Sequence, residues 1–173
     1  MKLRKLTLTA CLTAAALCVY VLECQIPPLT AIPGIKLGLS NVFTLFTMYA
    51  VGPIWAFALF VLRVTLGGFL TGQVSAMLYG FAGGILAYFA MLGGKKLLPE
   101  KQMWVVSVFA ALCHNLGQIL MAIIVTGTKS IAVYFPVLAI SAIVTGAFTG
   151  VCAQLLYTRK SLRKIFGKDG GKA

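Results

Sequence analysis

Few residues of this 173-residue chain could do chemistry, and most of them interrupt apolar runs. Arg63 lies about ten residues into a run that begins near Pro53, ~15 Å along a helix. His114 and Asn115 lie at a similar depth in another run. Gln118 follows His114 by four residues, so those two share a helix face. Lys36, Ser40 and Asn41 fall in "IPGIKLGLSN", residues 32–41, where a further apolar segment is about to start. Charged and amide groups inside apolar spans are costly, which makes them candidate ligand contacts.

The acids sharpen the question of Arg63. Glu23, Glu100 and Asp169 are the only three, and each stands at or beyond the edge of an apolar run. On that reading no internal carboxylate neutralises Arg63. Its partners are then carbonyls, water, neutral side chains, a carboxylate of another subunit or an anionic ligand. Three roles stay open: snorkelling to an interface, hydrogen bonding between helices, and ligand binding. His114 has two readings, hydrogen-bonded packing or part of a polar patch with Asn115 and Gln118. Lys36 reads as a rim residue.

Several chemistries are excluded. The single histidine rules out bis-histidine haem ligation within the chain. No GxxxxGK[ST] loop is present to bind ATP. No aspartate pair is available to hold magnesium on a diphosphate. No serine–histidine–acid set can form with the acids so placed. Cys11, Cys18, Cys24, Cys113 and Cys152 show no CxxC or CxxH spacing and read as small buried hydrophobes, with Cys24 near a helix end. The chain is therefore not expected to be an enzyme, and neither a cofactor nor a metal site is expected.

The elements that must position these residues follow from composition. The chain is 60% hydrophobic and 10% charged, against about 25% charged in soluble domains. Its mean hydropathy is +0.98. Such a chain cannot cover a water-facing surface and belongs in a bilayer. The net charge of +12 does not point to nucleic acid, because the basic residues sit in short clusters between long apolar runs.

Six apolar segments can be drawn: residues 6–22, 37–51, 53–70, 74–92, 103–125 and 131–157. Segments two and three are short for a span of roughly 20 residues, and they join at the Gly52-Pro53 turn. Six spans are expected, with one of that pair open to a partly re-entrant reading. An inside N-terminus places twelve of the fifteen lysines and arginines in the cytoplasm, so both termini are expected there. The expectation is an all-α polytopic membrane protein, with a six-helix transmembrane domain over 1–158 and a basic cytoplasmic tail over 159–173. The N-terminus has the basic start and apolar centre of a signal peptide, but Leu17 before Cys18 and Glu23 before Cys24 argue for a retained first helix.

Small residues let helices approach in lipid. Gly80 with Gly84 and Gly146 with Gly150 read as packing within the bundle. Ala10 and Ala14 form an AxxxA that could instead be a docking face.

Four blocks carry a resemblance: "PGIKLGLSNVFTL" at 33–45, "LRVTLGG" at 62–68 with Gly72 following, Gly83-Gly84, and "HNLGQ" at 114–118. Together they resemble the Gx transporter family, often labelled heptaprenyl diphosphate synthase component I, over about residues 26–150. That family is similar to the substrate-binding S-components of energy-coupling-factor transporters. The resemblance implies six helices, both termini inside and an outer loop that closes over a substrate, with the Pro33-Gly34 turn, Lys36 and Asn41 at that position. It implies that Ala10 and Ala14 meet a transmembrane coupling protein.

Taken together, the expectation is a bacterial plasma-membrane protein that binds an anionic or amphipathic small molecule from outside and is energised by separate subunits, a coupling protein with ATPases. Arg63, His114, Asn115 and Gln118 would form the floor of the site, and Lys36 and Asn41 its rim. The alternative is a non-catalytic membrane partner of a prenyl synthase in isoprenoid-quinone synthesis, or of a flavoprotein in membrane electron transfer.

Overall fold

The computed structural model describes residues 2–25 and 38–159. Lys36, the Pro33-Gly34 turn and all of the basic tail beyond Arg159 lie outside the described residues. Among the described residues six α-helices form: α1 (Lys2–Glu23), α2 (Asn41–Ala50), α3 (Pro53–Leu70), α4 (Val74–Leu97), α5 (Met103–Thr126) and α6 (Phe135–Thr158). Short 3-10 turns at Glu100–Gln102 and Lys129–Tyr134 precede α5 and α6. No strand occurs among the described residues.

Five of these helices, all but α2, are long and apolar enough to cross a membrane. Of the two segments that the sequence marks as short, the third is long enough and the second is not. The second segment yields a helix of ten residues, ~15 Å long against ~30 Å of hydrocarbon. Its N-terminus lies beside Arg63, the eleventh of the eighteen residues of α3. Its other end lies beside Lys95, whose Nζ donates to the Met48 carbonyl, and beside the Tyr157 ring, 6.0 Å from that of Tyr49. α2 therefore occupies one half of the bundle's depth, the half where α4 and α6 end. The chain reverses at Gly52, whose φ of +136° suits a residue without a Cβ, and Pro53 opens α3 at a position that needs no backbone donor.

Close backbone approaches set the register of the long helices. A Cβ added to Gly117 would lie 2.6 Å from the Ala82 carbonyl oxygen, so α4 and α5 meet there backbone to backbone. Gly146 and Gly150 press on Val108 and Trp104 of α5 at 2.8 and 2.5 Å by the same measure. Gly80 faces Val64, and Gly84 faces the Phe60 ring. Both GxxxG pairs therefore serve packing within the bundle, as the sequence suggests. The outward surface is apolar, with Phe89, Ile140, Phe148 and Leu155 among its exposed side chains.

Cys11 and Cys18 are exposed rather than buried. Lipid is as apolar as a protein core, so a small hydrophobe needs no burial in the bundle. Ala10 and Ala14 lie on the same exposed side of α1.

Candidate functional site

Arg63 is the deepest charge among the described residues, 3% exposed, and its guanidinium is held by the start of α2. Nη1 donates to the Ser40 hydroxyl, and Nη2 donates to Asn41 Oδ1 at 2.9 Å. Ser40 occupies the N-cap position of α2, where a serine usually bonds the first turn of its own helix. Here its side chain makes no cap bond and accepts from Arg63 instead. The local helix signal has been turned to a tertiary purpose.

Glu23 corrects the expectation that Arg63 has no internal carboxylate. The last residue of α1 is 5% exposed, lines the same cavity as Arg63 and acts electrostatically on its guanidinium. Glu23 Oε1 also accepts the backbone N–H of Gly38. The sequence places Glu23 at a membrane edge because it ends an apolar run, but a helix end can tuck beneath the segment that follows it. Gly38 is suited to that close quarter, with a φ of +77°. A Cβ there would stand 3.0 Å from Asn41 Nδ2 and 3.3 Å from the His114 ring.

His114 and Gln118 complete the cavity from α5, 4% and 1% exposed, with Tyr20, Val64, Ala76 and Gly80 around them. Its internal volume is about 20 Å³, room for a water molecule. His114 Nδ1 faces the Gly83 backbone without completing a hydrogen bond there. Gly83 makes the space: a Cβ would sit 3.0 Å from that nitrogen and from Gln118 Cγ. Arg63 Nε, His114 Nδ1 and Gln118 Oε1 are buried and have no hydrogen-bond partner among the described residues. Orphaned buried polar atoms are rare, and three around one cavity point to a partner supplied from elsewhere.

The structure thus gathers Arg63, His114, Gln118 and Asn41 and leaves Asn115 out. Asn115 turns to α6, donating from Nδ2 to the Leu138 carbonyl at 2.8 Å. One residue is about 100° of helix rotation, which carries Asn115 round to α6 while His114 faces the cavity. Tyr20, Glu23 and Gly38 are site residues that the sequence reading did not assign. The signal available for Glu23 was its rarity, one of three acids in the chain. Thr44 and Thr47, buried on α2, also have unpartnered hydroxyls among the described residues, whereas Thr9, Thr13, Thr126 and Thr145 bond the carbonyl four residues back. Among the described residues no three His, Cys, Asp or Glu gather as a metal site would require.

The family model for heptaprenyl diphosphate synthase component I matches residues 12–156. The chain belongs to that family. The match runs from within α1 almost to the end of α6 and so takes in every residue of the cavity. No curated protein and no solved structure matches the chain. As a member of that family built of long apolar helices, the chain is a membrane protein.

Proposed function

We propose that this chain binds a small molecule in the buried polar centre formed by Arg63, His114 and Gln118 beneath Gly38–Asn41. It would carry the molecule across a bacterial plasma membrane with energy from separate subunits. The observation that carries this reading is the set of three orphaned polar atoms around one cavity, deep in a bundle where each unmet polar group is expensive. A cavity with room for a water must enlarge to take a ligand, and Gly38–Asn41 is the segment to move, held by Glu23 and Arg63. Chemistry is not required. Two states that bind the ligand unequally suffice, with α2 as a half-depth element between them.

In this reading both termini face the cytoplasm, as the clustering of lysines and arginines favours. Ala10 and Ala14, exposed on α1, would face a membrane coupling protein. The family's name favours a second reading, a non-catalytic membrane partner of a prenyl synthase. Affinity purification from native membranes separates the two. Recovery of a membrane coupling protein with ATPases supports uptake. Recovery of a prenyl synthase or a flavoprotein, with no ATPase, overturns it.

A further inference from the structure

The cavity also constrains what it can bind, and this inference rests on the binding role proposed above. We infer that the ligand enters with an uncharged head that both donates and accepts hydrogen bonds, such as a hydroxyl, a carboxamide or a ring imide. It does not enter as a free carboxylate or phosphate.

Two observations carry this. The first is the complement of orphaned atoms. Arg63 Nε offers a hydrogen, Gln118 Oε1 offers lone pairs, and His114 Nδ1 offers either according to its tautomer. A group with acceptors alone would satisfy Arg63 Nε and leave Gln118 Oε1 unmet in a buried place. A group that also donates satisfies both. The second observation is that the cavity already contains a carboxylate. Glu23 lines it together with Arg63 and acts on the guanidinium charge, while Nη1 and Nη2 are committed to Ser40 and Asn41. An entering anion would meet a like charge at close range in a poorly hydrated site, and would compete with Glu23 for the Arg63 charge. An uncharged head meets neither obstacle. By the same argument a diphosphate is rejected, so a prenyl chain would be taken as its alcohol and not as its diphosphate.

The test is equilibrium dialysis of the full chain in detergent against three matched pairs, with retention read by mass spectrometry. The pairs are nicotinamide with nicotinate, uracil with orotate, and farnesol with farnesyl monophosphate. The native chain is expected to retain the uncharged member of at least one pair by about tenfold or more over its anion, a difference of roughly 1.4 kcal/mol. Glu23→Gln, which removes the resident carboxylate, is expected to narrow that ratio in the same pair. Retention by the native chain of any anion equal to or above its uncharged partner overturns the inference and leaves the binding role standing. An unchanged ratio in a folded Glu23→Gln chain overturns the part given to Glu23. Retention of no member by the native chain counts against the inference and the binding role together.

Discussion

Arg63 Nη2 donates a 2.9 Å hydrogen bond to Asn41 Oδ1, and this one contact ties the middle of α3 to the first residue of α2. It fixes the depth at which α2 begins. With the Ser40 contact beside it, it makes a mid-bundle arginine the anchor of the segment that lies over the cavity. The proposed ligand-binding role and the stability of the fold therefore share a residue.

Arg63→Met should destabilise the chain by about 3–5 kcal/mol, because it removes the buried charge on which Glu23 acts and frees Ser40 and Asn41. Adding Glu23→Leu to that variant should recover a large part of the loss, since apolar replacement of both members of a buried charged set is often near neutral. Thermal unfolding in detergent of the two variants checks this. A double variant no more stable than the single one would contradict the coupling of Glu23 to Arg63.

Gly38→Ala and Gly72→Ala both place a Cβ on a left-handed backbone, with φ of +77° and +66°. Each should lose about 1–2 kcal/mol for that reason. Only Gly38 crowds the site, since nothing lies within 4 Å of a Cβ at Gly72. Gly38→Ala should therefore lose ligand as well as stability, and Gly72→Ala stability alone. Melting temperatures measured beside ligand retention distinguish the two outcomes.

Much of the fold is legible in the sequence, for identifiable reasons. Long apolar runs bounded by Pro53, Gly127 and the Lys95-Lys96 cluster mark the spanning helices, because bilayer thickness dictates their length. The run from Leu37 to Val51 misleads, because apolar content carries no information about depth. Ser40 and Asn41 begin a half-length helix there, and only their contact with Arg63 reveals it. Arg63, His114 and Gln118 could be picked out as polar residues in apolar helices, and the spacing of the last two gave their shared face. Glu23 could not be placed, because its burial depends on how the chain folds back at Gly38, a contact fifteen residues away in sequence. Asn115 could not be assigned from spacing alone, because its direction is settled by the Leu138 carbonyl of α6.

Gly117→Ala should cost about 1–3 kcal/mol, since its Cβ would press on backbone atoms at Ala82 and Gly83 that cannot rotate away. Gly93→Ala in the same bundle is the control. It has nothing within 4 Å of a Cβ and should gain about 0.5–1 kcal/mol as a helical glycine replaced by alanine. Unfolding midpoints that move in opposite directions would bear out the packing argument, and equal shifts would contradict it.

Ala10→Trp with Ala14→Trp alters an exposed face of α1. Stability of the isolated chain should change by no more than about 0.5 kcal/mol. Any coupling subunit recovered with the native chain should be lost. A subunit that stays bound to the doubly substituted chain would show that this face is not the docking surface.

Ligand binding in the buried polar centre is tested most directly by native mass spectrometry of the chain released from detergent, compared with the His114→Ala, Gln118→Leu variant. A population of the native chain carrying one small molecule is expected, and its loss from a variant that remains folded. Identical mass distributions for the two proteins, with or without a bound molecule, would contradict it.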